Sequence, residues 1–254
     1  MELSPRTLRK WILAGTIFNF FVLSSLPSLA ETKSSSFERK QEAWSQLNYY
    51  NPTEGFHSEG SYGLHLGVGA LALSGVGSSS DAVMTPEFKS EIEQPKPRIF
   101  IGKGTPWPID FGASFSILEG KTALQAGAHM QWTVFQSFQM PSIAFRASHS
   151  ELRSYHEVKD LATDSIELGV SYGIIRYVIV SVGASEQWEK GNTQARDEFL
   201  ALIEKELPSW KTRRTVYSWG LNISPFTPFV QIGLEQSYWE NRTQVSIAKL
   251  SFLL

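Results

Sequence analysis

The sequence contains no cysteine among its 254 residues, and this absence excludes several classes of exported protein. A secreted disulfide scaffold needs cysteine pairs, and a bacterial lipoprotein needs a cysteine directly after its signal peptide. Charged residues are also few, at 19%, whereas aromatic residues reach 13%. The fold must therefore be sought among architectures that require neither disulfides nor a lipid anchor.

Positive charge and long apolar runs are scarce as well. The chain has 23 Lys+Arg against 25 Asp+Glu, and without residues 1–30 its net charge is about −4. Nucleic-acid binding usually requires a basic surface, so this balance argues against it. Residues 62–80 carry no charge but include five Gly, and residues 168–185 are interrupted by Arg176. We therefore expect no membrane-spanning helix after the N-terminal region.

The N-terminal 30 residues have the three parts of an export signal. Arg and Lys residues lie within the first ten positions, residues 11–23 form an uncharged apolar stretch, and Ser28-Leu29-Ala30 supplies the small residues that a signal peptidase reads. Residues 1–30 are therefore predicted to be a cleaved signal peptide. An uncleaved N-terminal anchor is the alternative interpretation.

Residues 31–60 are polar and rich in Ser, Glu and Lys. Ser35, followed three residues later by Glu38, could cap a short helix that continues through Trp44 and Leu47. We interpret residues 31–60 as a polar periplasmic lead-in or a small plug.

From Tyr62 onwards the apolar period is two residues, as in β-strands, and not 3.6 residues, as in helices. Most of these alternating runs extend for nine or more residues, which suits tilted membrane strands better than the shorter strands of soluble sheets. The pattern predicts ten strands, near 62–73, 97–104, 107–118, 121–135, 139–150, 161–175, 176–188, 211–223, 226–239 and 243–254.

The expected connections alternate in length. Those after even-numbered strands are tight, whereas those after odd-numbered strands include three long ones, at 74–96, 151–160 and 189–210. Outer-membrane barrels have short periplasmic turns and longer outer loops, so both termini are expected on the periplasmic side. Within the third long connection, the apolar spacing indicates a helix near 199–207.

Aromatic residues cluster near the expected strand ends, as in the interfacial girdles of membrane barrels. The alternative explanation is that aromatic residues are common in strands in general. The residues near expected periplasmic ends are Trp107, Phe135, Tyr177, Phe229 and Phe252, and those near outer ends are Trp188, Trp210, Tyr238 and Trp239.

The two faces of the strands differ in a way that places lipid outside. The polar face carries mainly Gly, Ser, Gln and His, which suit a narrow lumen, whereas soluble strand surfaces usually carry Lys, Glu and Thr. The last strand alternates Leu250, Phe252 and Leu254 up to the final residue. With these features the chain resembles bacterial small outer-membrane β-barrel proteins, as a class and not as one family. The resemblance implies an all-β, antiparallel up-and-down transmembrane barrel over residues 61–254.

The alternation of apolar and polar residues is inconsistent in the last strand. Val245 and Ile247 are apolar but lie on the same face as Lys249, which belongs to the polar face. Either a bulge lies between them, or two apolar side chains face the lumen.

Several ionisable residues are expected to face the lumen. Arg146 and Glu167 lie on neighbouring strands, and Glu235 would face Lys249 across the last hairpin if its turn is short. Such groups either pair to fill a narrow barrel or form a polar path for a small solute. The predicted lumen network is Asp110, His129, Arg146, Glu167, Glu235 and Lys249, with His65 beside it.

No site of known chemistry stands out. His149, Ser150 and a nearby acid could form a hydrolytic set at the outer rim, but neighbouring strand residues point to opposite faces. No catalytic residue is assigned, no cofactor is expected, and no cluster has metal-ligand spacing.

The sequence therefore predicts a non-enzymatic outer-membrane barrel with an envelope-structural, surface-binding or restricted-pore role. The alternatives are an outer-membrane hydrolase acting at the rim and a soluble periplasmic barrel that binds an apolar ligand. The expected partners are outer-membrane lipid and lipopolysaccharide, together with the barrel-assembly machinery during biogenesis.

Overall fold

The computed structural model describes residues 36–52, 54–58, 60, 63–74, 94–118, 123–137, 140–155, 158–175, 177–193, 209–225, 229–239 and 244–254. The predicted signal peptide and the helix expected near 199–207 lie outside these residues. The described residues form one helix and ten strands. These are α1 (Ser36–Asn48), β1 (Leu64–Ser74), β2 (Lys96–Gly104), β3 (Ile109–Ile117), β4 (Leu124–Ser137), β5 (Met140–Tyr155), β6 (Val158–Ile175), β7 (Val178–Thr193), β8 (Ser209–Ile223), β9 (Val230–Trp239) and β10 (Gln244–Leu253).

The ten strands form a closed barrel in which each strand pairs antiparallel with its neighbours in sequence, and β1 pairs with β10. Closure leaves no sheet edge with unpaired backbone groups, which is the condition for crossing a bilayer with strands. The predicted up-and-down barrel of ten strands is confirmed. We call the end where β1 begins and β10 ends the inner end, and the opposite end, which carries the connections 75–95 and 194–208, the outer end.

The exterior of the barrel is apolar over most of its height. Val68, Ile99 and Ile166 expose 54–60% of their surface although they are aliphatic. Trp107 and Phe229 are exposed at the inner end, where an aromatic girdle was predicted. An exterior of this kind fits a hydrocarbon environment and not water, so the protein is a barrel of the bacterial outer membrane. Among the described residues, no helix has the length and apolar character needed to cross a membrane.

Strands β5, β6 and β7 extend further outwards than the sequence suggested. The connection predicted at 151–160 is mostly strand, because β5 and β6 remain paired as far as Tyr155 and Val158. The physical reason lies inside the barrel, where Leu152, Tyr155 and Leu161 continue the inward-facing pattern and are buried. Similarly, β7 continues to Thr193.

Two tryptophans predicted for the outer girdle point into the barrel. Trp210 and Trp239 are 9% and 4% exposed and belong to an apolar cluster inside the lumen. Side chains alternate between the two faces of a strand, and Tyr217 on β8 and Leu234 on β9 face outwards. Trp210 and Trp239 lie an odd number of residues from them on the same strands, so both face inwards. The outer girdle prediction is therefore wrong for these two residues, whereas Trp188 is exposed on the exterior.

The parity conflict in the last strand is resolved without a bulge. The register of β10 with both β9 and β1 is continuous through these residues. Val245, Ile247 and Lys249 all face inwards and are at most 3% exposed. Two apolar side chains therefore face the lumen, and they do so in its outer half, where other apolar residues meet them.

Candidate functional site

The lumen of the barrel is occupied by the chain's own N-terminal segment. We call residues 36–58 the plug, of which residue 53 is not described. From residue 41 to residue 52 every residue of the plug is buried. Trp44 lies against Trp210, near the outer end of β8, whereas the Ser58 amide donates to Gln136, near the inner end of β4. The plug therefore runs from the outer end to the inner end, where β1 begins.

This course changes the expectation for how the chain reaches the barrel. Because α1 rises about 1.5 Å per residue and Trp44 already lies at the level of Trp210, Ser36 lies at the outer end. The described chain thus begins at the outer end and reaches β1 at the inner end only after it has crossed the lumen. Leu254, whose amide donates to the carbonyl of Leu64 at 2.8 Å, is at the inner end as expected.

The outer half of the lumen is an apolar core built around α1. The ring centroids of Trp44 and Trp210 are 5.9 Å apart, and those of Tyr49 and Trp239 are 4.9 Å apart in an edge-to-face arrangement. Such aromatic pairs add to the free energy gained from burial alone. The same cluster includes Leu47, Leu71, Phe100, Leu152, Tyr155, Leu161, Val245 and Ile247.

Polar groups of the wall fix α1 within this core. The Ser45 hydroxyl contacts a carboxylate oxygen of Glu189 at 2.7 Å. The Asn48 side-chain amide donates to the carbonyl of Ser150 and to the hydroxyl of Thr163. These contacts satisfy buried polar atoms that would otherwise lower stability.

The C-terminal end of α1 is capped by an arginine from the wall. Arg98 donates from Nη1 to the carbonyl of Tyr49 at 2.7 Å and from Nη2 to the carbonyl of Leu47 at 2.6 Å. The last carbonyls of a helix lack intrahelical partners and carry partial negative charge, so a cation there is favourable. The helix is thus anchored at its C-terminal end by β2.

In the inner half of the lumen, a single carboxylate of the plug meets one lysine and two histidines of the wall. Glu54 Oε1 lies 2.5 Å from Lys249 Nζ and 2.6 Å from His65 Nε2, and Glu54 Oε2 lies 3.9 Å from His129 Nε2. Lys249 also donates to the carbonyl of Pro52 at 2.9 Å. Burial alone would raise the pKa of Glu54, but Lys249 and His65 hold this pKa well below its ordinary value.

Arg146 connects the plug with a second acidic group of the wall. Its guanidinium lies 3.1 Å from Glu167 Oε2 and donates to the backbone carbonyl of Glu54 at 3.1 Å and to the Gln131 side chain. It also lies over the ring of Phe56, 4.5 Å from the centroid. One arginine thereby links β4, β5, β6 and the plug, and its charge is compensated within the lumen.

Two inward-facing glycines make room for plug aromatics. A Cβ atom at Gly127 would lie 2.2 Å from the ring of Tyr50, and one at Gly169 would lie 2.2 Å from the ring of Phe56. Contacts this short do not occur between real atoms, so any other residue would force the ring to move. The glycine-rich polar face of the strands is therefore shaped to fit the plug.

The structure places every residue of the predicted lumen network inside the barrel. Arg146 and Glu167, which were expected on neighbouring strands, are directly opposite each other in the register of β5 and β6. Glu235 and Lys249 are not, because Glu235 pairs with Ile247 and Lys249 pairs with Gly233. The six residues Asp110, His129, Arg146, Glu167, Glu235 and Lys249 are all at most 9% exposed.

The residues considered for hydrolysis are not brought together. His149 points outwards and its Nδ1 lies 2.7 Å from Asp164 Oδ1, with both side chains more than half exposed. Ser150 points inwards, is buried, and donates its hydroxyl hydrogen to the carbonyl of Asn48 at 2.7 Å. This serine is therefore unavailable to His149 as a nucleophile. Among the described residues, no group of three or more His, Asp or Glu could hold a metal ion.

Glu54 is the main residue of the lumen contacts that the sequence interpretation missed, together with the plug aromatics. Two signals pointed to an occupied lumen. One was the run of apolar residues with inward parity, Val245 and Ile247 among them, and the other was the unusual number of glycines on the polar face. Nothing local marks Glu54 itself, since its partners lie far away in the sequence.

Comparisons with known proteins identify similar barrels but no family. No family model matches the chain, and no curated protein matches it. Solved structures with similarity include a KdgM porin in complex with oligogalacturonate, at 7% identity and a TM-score of 0.40, covering 75% of this chain and 99% of that chain. The N-terminal barrel domain of Pseudomonas aeruginosa OprF has 11% identity, a TM-score of 0.36 and coverage of 74% and 96%. Acinetobacter baumannii Omp33 has 8% identity, a TM-score of 0.33 and coverage of 79% and 100%. The assignment to the outer membrane rests on the barrel's own apolar exterior.

Proposed function

We propose that this protein is a non-enzymatic outer-membrane barrel whose lumen is closed by its own plug, and that it has an envelope-structural or surface-binding role. The observation that carries the proposal is the burial of plug residues 41–52 inside the barrel. A barrel of ten strands is only slightly wider than the eight-stranded size that side chains alone can fill. One helix with the segment after it supplies the additional volume.

The contacts of the plug support closure over the whole height of the lumen. Trp44 and Leu47 pack in the outer half, Tyr50 contacts His129 at mid-height with 2.7 Å between the hydroxyl and Nδ1, and Phe56 lies against Gly169 in the inner half. A solute would have to displace each of these groups in turn. A restricted pore therefore requires movement of the plug, whereas a structural or surface role does not.

The test is the ion conductance of the full-length barrel in a planar lipid bilayer. We expect no discrete current steps from the wild-type protein, once its insertion is verified by heat-modifiable gel mobility. The double variant Tyr50→Ala/Phe56→Ala, which removes the two rings packed on glycines, should give measurable steps. Steady single-channel currents from the wild-type protein would overturn the proposal, whereas a silent wild type supports it whatever the variant does.

A further inference from the structure

In the inner half of the lumen, residues of the barrel wall surround a carboxylate. The wall forms this site, but the carboxylate in it comes from the plug. Lys249 on β10 and His65 on β1 both point to one oxygen of Glu54, at 2.5 Å and 2.6 Å. His129 on β4 approaches the other oxygen from across the lumen, at 3.9 Å. Three strands thus place nitrogen atoms around a single carboxylate, and Lys249 donates a hydrogen bond to it.

The wall's own acids do not take this position. Glu167 is engaged by Arg146 at 3.1 Å and by the hydroxyl of Ser218 at 2.9 Å. Glu235 pairs in the register with Ile247 and not with Lys249. The anion opposite Lys249 is therefore supplied by the plug, a segment that is not part of the barrel wall.

The burial of Lys249 makes an anion at this position necessary. Its side chain is 1% exposed, and it lies over the Phe100 ring, 4.9 Å from the centroid. An ammonium group so far from water loses its hydration and needs a counter-charge close by. If Glu54 moved away, the site would be strongly favourable for another small anion with the same geometry.

We propose that Lys249, His65 and His129 form a carboxylate-binding site in the lumen, that Glu54 is its internal occupant, and that a small soluble carboxylate takes the site when Glu54 is withdrawn. The proposal deepens the closed-barrel function, on which it rests for the position of the plug. Glu54 then acts as a competitor for anionic solutes. A lumen opened at this level passes anions in preference to cations.

The test uses Glu54→Ala in the full-length chain, because alanine leaves the donors in place and frees the volume of a carboxylate. The temperature of the unfolding gel shift is measured in sodium formate and in sodium gluconate at equal ionic strength and pH, since gluconate is too bulky for a side-chain cavity. Formate should raise the unfolding temperature of the variant in a saturable way and leave the wild type unchanged. The increase should disappear in Glu54→Ala/Lys249→Met.

Glu42→Ala is the matched control, because it removes a carboxylate from α1 in the outer half of the lumen, and formate should not stabilise it. If Glu54→Ala does not remain folded, its refolding yield from urea in formate and in gluconate gives the same comparison. The absence of a formate effect, or an equal effect without Lys249, would overturn the proposal.

A second measurement separates this inference from the proposed function. In a potassium chloride gradient, currents through the opened variant Tyr50→Ala/Phe56→Ala with Glu54→Ala added should reverse at a potential that indicates preference for chloride, and cation preference would contradict the site. Wild-type currents bear on closure alone. The formate comparison bears on the site alone, so either idea can fail without the other.

Discussion

In the outer half of the lumen α1 packs against apolar side chains such as Leu71 and Ile247, whereas in the inner half the chain around Glu54 is held by Lys249, His65 and Arg146. Both halves are closed by the same plug. The outer half resembles the core of a soluble domain, in which burial and shape complementarity supply stability. The inner half depends on charge pairing in a confined space.

This difference indicates which part of the closure can change. Apolar packing responds little to pH or to small solutes, whereas an ion pair can be protonated or exchanged for another anion. We therefore expect the outer half to determine whether the plug stays in the barrel. The inner half determines whether the path beneath the helix is open.

Trp44→Ala should have the largest effect, because it removes the fully buried ring at the centre of the outer half. We expect a loss of about 3–5 kcal/mol in the free energy of unfolding, as for other fully buried tryptophans. Urea unfolding in detergent, followed by gel mobility, measures it. Trp188→Ala on the exterior is the control and should cost about 1 kcal/mol or less. Equal losses in the two variants would show that α1 does not form a core.

Gly169→Ala should have a smaller effect, of about 1–3 kcal/mol, because the new Cβ would overlap the Phe56 ring and force it to move. Gly173→Ala on the same strand is the matched control, since a Cβ there meets nothing within 4 Å. The same unfolding assay applies to both. Adding Phe56→Ala should reduce the cost of Gly169→Ala, and strict additivity of the two substitutions would contradict a close contact between them.

Acidification should weaken the contacts of Glu54 in the inner half, and it should have the smallest effect. Because the pKa of Glu54 is lowered in the folded protein, its contribution to stability is fully present above the ordinary value of 4.5 and is lost as the pH falls through the lowered pKa. The difference in unfolding free energy between the wild type and Glu54→Gln should be constant from pH 7 to about pH 5 and then shrink. A difference that persists unchanged in strong acid would show that the charge of Glu54 is unimportant. The loss caused by Trp44→Ala should not vary with pH in this way.

Much of the barrel could be predicted because strand alternation is a local property. The ten strands were expected within a few residues of their observed bounds, since side chains alternate between the two faces of a strand. The outer ends of β5, β6 and β7 were misplaced for a reason that is not local. Leu152, Tyr155 and Leu161 continue the strand because they pack on the plug, and nothing in their own segment reveals that partner.

The lumen network was predicted only as a set of inward-facing residues. The alternation of side chains along each strand predicts that Arg146 and Glu167 both face the lumen. The order of the strands predicts that they lie on neighbouring strands. The register of the last hairpin depends on its turn, so the pairing assumed for Glu235 and Lys249 was wrong. The partner of Lys249 lies 195 positions away in the chain, a separation that no periodicity can indicate.

The sequence by itself determined the closed ten-stranded barrel and the apolar exterior, because both follow from a period of two and from the chemistry of the two strand faces. It also contained the inward apolar residues and glycines without explaining them. Only the tertiary structure decided what fills the lumen, because the plug's position depends on contacts between residues far apart in sequence. The same contacts make Glu54, one acid in a polar segment, the carboxylate on which Lys249 and His65 of the wall converge.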